Sequence, residues 1–176
     1  CRLAAGPACA AENLKVRLDF SPWGMHAAMH LAMQKGWFDE AGLKVDIEDG
    51  TGTINTLQLL AAGRVDVGQV SVGTMAVARE NGLDLKAIAG FARTGDLAVM
   101  TDAAQQVAAP KDLRGKKIIC FATSPWVPFI DPFLKANGLS RGDVNLVMVA
   151  PSAMISTYAS GNGDAFMSQA PFGLPM

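Results

Sequence analysis

Between residues 13 and 70 the apolar residues switch back and forth between two spacings, and glycine or proline marks most of the switches. Asn13–Phe20 alternates strictly, so Leu14, Val16, Leu18 and Phe20 share one face, as in a half-buried strand. Ser21-Pro22-Trp23-Gly24 breaks that pattern, and from about His26 to Lys35 the spacing is helical, with Gly36 as a stop. Val45 and Ile47 then alternate with Asp46 and Glu48 in a second strand. Gly50-Thr51-Gly52-Thr53 is a loop, Thr53 can cap a helix over Ile54–Ala62, Gly63 ends it, and Val65–Val70 reads as a short strand. This alternation predicts an α/β fold of mixed sheets with helices on both faces.

The same winding continues. Met75–Asn81 is predicted as a helix, and Leu85–Phe91 and Asp96–Thr101 as strands. Composition shifts over Asp102–Pro110, which reads as a linker. The pattern then restarts with a strand at Lys116–Phe121, a loop at Ala122–Trp126 and a helix over Val127–Asn137, which Pro132 would kink or delay. A strand over Val144–Ala150, a helix over Ser152–Ser160 and a strand at Asp164–Ser168 follow. Two lobes are expected, 13–101 and 102–176, the second incomplete because the C-terminus is truncated.

Of 176 residues, 50% are hydrophobic and 18% charged, enough apolar material for a substantial core. The net charge of −1 and scattered basic residues argue against a nucleic-acid partner. The opening Cys1–Glu12 resembles the tail of a signal peptide, with Ala8-Cys9-Ala10 as a small-x-small cleavage site, so residues 1–12 are expected to be a signal remnant or disordered. Cys120 sits in an apolar strand and reads as a buried thiol. No CxxC or Cys/His cluster appears, no metal or cofactor is expected, and no apolar run is long enough for a membrane span.

Chemistry is expected where strands hand over to helices. Gly50–Thr53, Ser71–Thr74 and Thr123–Trp126 all take that position, and backbone N–H groups there suit carboxylate, sulfonate or phosphate oxygens. Open α/β sheets bind ligands at such crevices. Gly52, Thr53, Ser71, Gly73 and Ser124 are therefore candidate lining residues, as are Trp23, Gly24 and Trp126. Each tryptophan directly follows a proline, and the pair could sandwich a planar ligand or a cation. His26 and Arg93 are polar candidates, and Gln169 and Phe172 are further options. Trp37, beside Phe38, reads as core. His26 and His30 share a helix face but lack a third ligand, and no credible set of nucleophile, base and orienting group is present, so catalysis is not expected.

These residues also resemble a known family. Leu18-Asp19-Phe20-Ser21-Pro22 with His26, then Lys35–Leu43, is similar to the N-terminal signature of NMT1/THI5-like and SsuA-like substrate-binding proteins of ABC transporters. Leu60–Val67, Pro110–Ile118 and Tyr158–Ala165 resemble later segments of the same family. The resemblance implies a type II periplasmic-binding-protein fold, a monomer, and delivery of a small ligand to an ABC permease of the inner membrane from the periplasm or an equivalent extracytoplasmic space. It implies a sulfonate, nitrate, pyrimidine or aromatic acid as cargo. Pyrimidine-precursor binders carry a Trp-x-Pro-Asn-x-x-His-like stretch, of which Phe20–His26 keeps the proline and histidine. A pyrimidine-synthase-like enzyme and a sensing module of a signalling protein are the alternatives.

Overall fold

A computed structural model describes residues 11–92, 95 and 97–170. The first strand, β1 (Glu12–Arg17), lies between two parallel neighbours. β2 (Leu43–Glu48) pairs along its whole length, from Glu12↔Leu43 to Arg17↔Glu48, whereas β3 (Val67–Gly68) pairs only at the end, Val16↔Val67 and Arg17↔Gly68. Parallel neighbours need crossovers. Helices α1 (Ala27–Gln34) and α2 (Trp37–Glu40) lead from β1 to β2, with Gly36 between them in a left-handed conformation (φ 75°) that glycine adopts without penalty. α3 (Thr53–Ala61) leads from β2 to β3, and α4 (Val72–Glu80) follows β3.

The second sheet has the order β4-β7-β5-β6. β5 (Lys117–Cys120) is parallel to both β6 (Asn145–Met148) and β7 (Ala165–Gln169), and β4 (Leu97–Thr101) runs antiparallel to β7. β5 is buried on both faces. Ile118 and Cys120 pack with Ile130 and Leu134 of α5 (Ile130–Ala136), while Ile119 and Phe121 pack on the other side with Met154 of α6 (Met154–Ala159) and Phe166. A strand covered on both faces reads as a continuous apolar run, which is how Ile118-Ile119-Cys120-Phe121 reads. Burial pushes the Cys120 thiol up from its ordinary value, against weaker opposing hydrogen bonds, and leaves it a poor nucleophile.

The sheets depart from the expected elements in three places. Leu85–Phe91 joins neither sheet, and Ile88 and Phe91 are 81% and 58% exposed. An alternating pattern becomes a strand only when a neighbouring backbone supplies its hydrogen bonds, and among the described residues no neighbouring strand does. β4, expected in the first lobe, belongs to the second sheet through its pairing with β7. Trp37, expected in the core, is 53% exposed, because α2 is a single turn whose outer side meets solvent. Pro132 has the expected delaying effect: a 3-10 turn over Val127–Phe129 precedes α5, which places the proline in the first helical turn, where its missing N–H is harmless. Residues 1–10, with the expected cleavage site, lie outside the described residues. Among the described residues no helix is long and apolar enough to cross a membrane.

Two predictions follow from this packing. A methyl group on Gly50 would lie 2.1 Å from the Leu18 carbonyl oxygen, a clash between two backbones. Gly50→Ala should therefore cost about 2–3 kcal/mol, read as a lower urea midpoint with an unchanged slope. The Asp143 carboxyl is held below its ordinary range, first by the Ser140 hydroxyl at 2.7 Å, then by the Ser140 N–H, with Arg114 adding to it. A carboxyl with a lowered folded pKa stabilises the fold above its unfolded value, and that contribution fades as pH falls through the folded one. Acid unfolding curves of Asp143→Asn should accordingly be flatter than wild type below about pH 4.

Candidate functional site

A cleft forms where the carboxyl ends of the parallel strands of both sheets face each other. Its walls are Asp19 and Phe20 after β1, Gly52 and Thr53 after β2, Phe121, Ser124 and Pro125 after β5, and Ser168 and Gln169 at the end of β7. Open α/β sheets leave a crevice at this edge because successive connections depart in different directions.

The first wall is built on a buried pair. His26 is fully buried, Asp19 nearly so, and His26 Nε2 lies 2.9 Å from Asp19 Oδ1. The Trp23 N–H donates to His26 Nδ1 at 3.3 Å, so the ring proton belongs on Nε2, where it donates to the carboxylate. His26 was expected to face the cleft. It stands behind Asp19 instead and holds the turn that carries Trp23, whose ring meets the imidazole edge-on at 6.0 Å.

The opposite wall depends on Trp126. Its indole N–H donates to the Ser168 carbonyl at 3.0 Å, and its ring meets Phe133 edge-on at 5.3 Å within the core beneath the second sheet. Trp126 is 5% exposed and does not line the cleft, and neither does Trp23, so the two tryptophans form no sandwich across it. A large apolar ring beside α5 gains more from full burial than from a half-wet loop.

Of the expected lining residues, the structure brings together Gly52, Thr53, Ser124 and Gln169. Gly24 is exposed beyond the rim. Ser71 lies one layer away, its N–H donating to Thr53 Oγ1 at 3.3 Å, and Gly73 packs near the Phe129 ring. Arg93 and Phe172 fall outside the described residues. Pro125 falls within the expected loop Thr123–Trp126, whereas Asp19, Phe20, Phe121 and Ser168 are not singled out as lining residues by the sequence. The available signal was their position just past a strand's last apolar residue; Phe20 and Phe121 continue the alternation and were counted as strand.

The expected anion cradle is partly filled from within. The Gly52 N–H donates to the Asp19 carbonyl at 2.7 Å, and the Ile54 N–H, in the first turn of α3, donates to the Thr123 carbonyl at 3.3 Å. The Ser124 N–H likewise donates to the Phe121 carbonyl at 3.0 Å, and the Trp126 N–H to Ser124 Oγ at 3.2 Å.

Known proteins share both the sequence pattern and this architecture. The family described as "NMT1/THI5 like" matches residues 23–170. A formylaminopyrimidine-binding protein of Halalkalibacterium halodurans is 31% identical over 160 residues, covering 89% of this chain and 47% of the relative's length. The alkanesulfonate-binding protein SsuA of Xanthomonas axonopodis pv. citri superposes with a TM-score of 0.63 at 19% identity, covering 94% of this chain and 57% of the other. The periplasmic aliphatic sulphonate-binding protein SsuA of Escherichia coli gives 0.61 at 18% identity, covering 92% and 55%. The chain thus spans about half the length of the relatives it matches, and the shared architecture is that of type II periplasmic binding proteins. By its sequence match over most of its length and by its fold, the chain belongs to the NMT1/THI5-like family.

Proposed function

We propose that this protein is an extracytoplasmic solute-binding protein that captures a small organic ligand between two lobes, one built on each sheet, and delivers it to the permease of an ABC importer. In this reading it is a monomer, binds without catalysis and uses no cofactor. The observation that carries the reading is the cleft itself, walled on both sides by residues at strand carboxyl ends. Closure of two such walls about a linker couples ligand capture to a change of shape that a permease can recognise.

The polar groups of the cleft favour an uncharged ligand bearing N–H donors over a sulfonate or nitrate. A buried carboxylate, Asp19, stands in one wall, and three backbone donors beside it, those of Gly52, Ile54 and Ser124, are spent on the protein's own carbonyls. A negative charge in a low-dielectric wall opposes an anionic ligand and attracts donors. The relative named for formylaminopyrimidine binding points to the same class, an amino-substituted nitrogen heterocycle.

A thermal-shift screen followed by calorimetry tests this. Aminopyrimidines should raise the unfolding temperature, by about 2.7 kcal/mol of added stability at a hundredfold excess over Kd. Sulfonates, nitrate and aromatic acids should leave it unmoved. Stabilisation by sulfonates alone would overturn the ligand class, and a response to no small molecule would overturn the transport reading. His26→Ala should destabilise the fold by about 3 kcal/mol, because it leaves the Asp19 carboxylate buried without its partner. His26→Gln, whose amide nitrogen reaches the place of Nε2, should recover part of that loss in chemical denaturation.

A further inference from the structure

The two walls touch each other directly. On the first side stand the loop Thr51–Gly52 and the start of α3; on the second stands the loop after β5. The Thr123 carbonyl accepts from the Ile54 N–H at 3.3 Å, and the Thr123 hydroxyl donates to the Thr51 carbonyl. Beside them, Thr74 of α4, 4% exposed, donates its hydroxyl to the carbonyl of buried Pro125 at 3.2 Å.

Each of these partners is costly to leave unmade. Ile54 is in the first turn of α3, where an N–H has no acceptor within its own helix. The buried Thr74 hydroxyl and Pro125 carbonyl would each bear a desolvation penalty if unpaired. Gly52 makes the approach possible. A Cβ there would lie 2.3 Å from Thr123 Oγ1 and 2.4 Å from its carbonyl oxygen, and its φ of 127° lies where side chains are rarely accommodated.

We infer that Thr123 and Pro125 form a clasp on Gly52, Ile54 and Thr74 that holds the cleft closed through protein–protein contacts, with Gly52 as the position that lets it shut. The closed form then has contacts of its own, and a bound ligand adds its stabilisation to theirs. The inference rests on the two-walled cleft proposed above for its consequence, but the clasp can be tested with no ligand at all.

The test is NMR-detected hydrogen exchange on the full chain. The Ile54 amide should be protected in the wild-type protein, since it is covered only while Thr123 sits over it. Thr74→Val keeps the shape and removes one bond of the clasp, and should speed Ile54 exchange about fivefold, the effect of one hydrogen bond. Gly52→Ala should bring Ile54 close to the rate of an uncovered amide, while the Ile119 amide in β5 keeps its wild-type rate. If Gly52→Ala fails to fold, Thr74→Val decides alone. A wild-type Ile54 amide that exchanges freely, or one whose rate Thr74→Val leaves unchanged, overturns the clasp. A ligand screen without hits would instead overturn the transport reading and leave the clasp standing.

Discussion

The exit of β1 is the point on which the rest of the molecule depends. As the chain leaves the strand, three successive carbonyls find partners in three directions. That of Leu18 accepts from the buried Thr56 hydroxyl of α3 at 2.8 Å, that of Asp19 from the Gly52 N–H at 2.7 Å, and that of Phe20 from the Gly50 N–H at 3.0 Å. The Asp19 side chain reaches back to His26 and so anchors the turn into α1. Leu18, Asp19 and Phe20 thus tie β1, the β2–α3 loop and the α1 entry into one knot, with Gly50 and Gly52 as the two places where another backbone comes too close for any side chain. The first wall of the cleft is the outer surface of that knot.

The second wall is organised differently. There the indole of Trp126, rather than a polar network, spans from the loop after β5 to the end of β7, and its single donor is matched to the Ser168 carbonyl. One side is held by hydrogen bonds between buried polar groups, the other by apolar packing with one polar tether. Their meeting point lies along Gly52 and Thr123, so the position of each wall limits that of the other.

Much of this was legible in the sequence, and what was not has a physical reason. The alternation at Leu14, Val16 and Leu18 and the apolar run Ile118–Phe121 placed the central strands, since local periodicity alone decides which faces are buried. Pro132 and Gly36 acted through their own backbone restrictions and needed no tertiary information. Leu85–Phe91 misled because strand formation requires a neighbour, which lies far away in sequence. Trp126 misled for a related reason: a tryptophan after a proline in a loop carries the same local pattern whether it faces a cleft or, as here, a core. His26 was expected at the cleft but stands behind it, because its partner Asp19, seven positions earlier, was hidden at the end of an alternating strand.

The distribution of buried side chains has a consequence for how the molecule comes apart. Both apolar clusters lie against the second sheet, one on each face of β5. The first sheet buries few apolar residues, Val16, Leu18, Leu57 and Val65, alongside the polar Asp19, His26, Thr53 and Thr56. Apolar burial tolerates small displacements, whereas a polar network loses its contribution once its geometry slips. Loosening therefore starts on the first side, while the second still holds its packing. The first wall of the cleft gives way before the fold does, and the surviving half keeps the shape of one jaw with nothing to bite against.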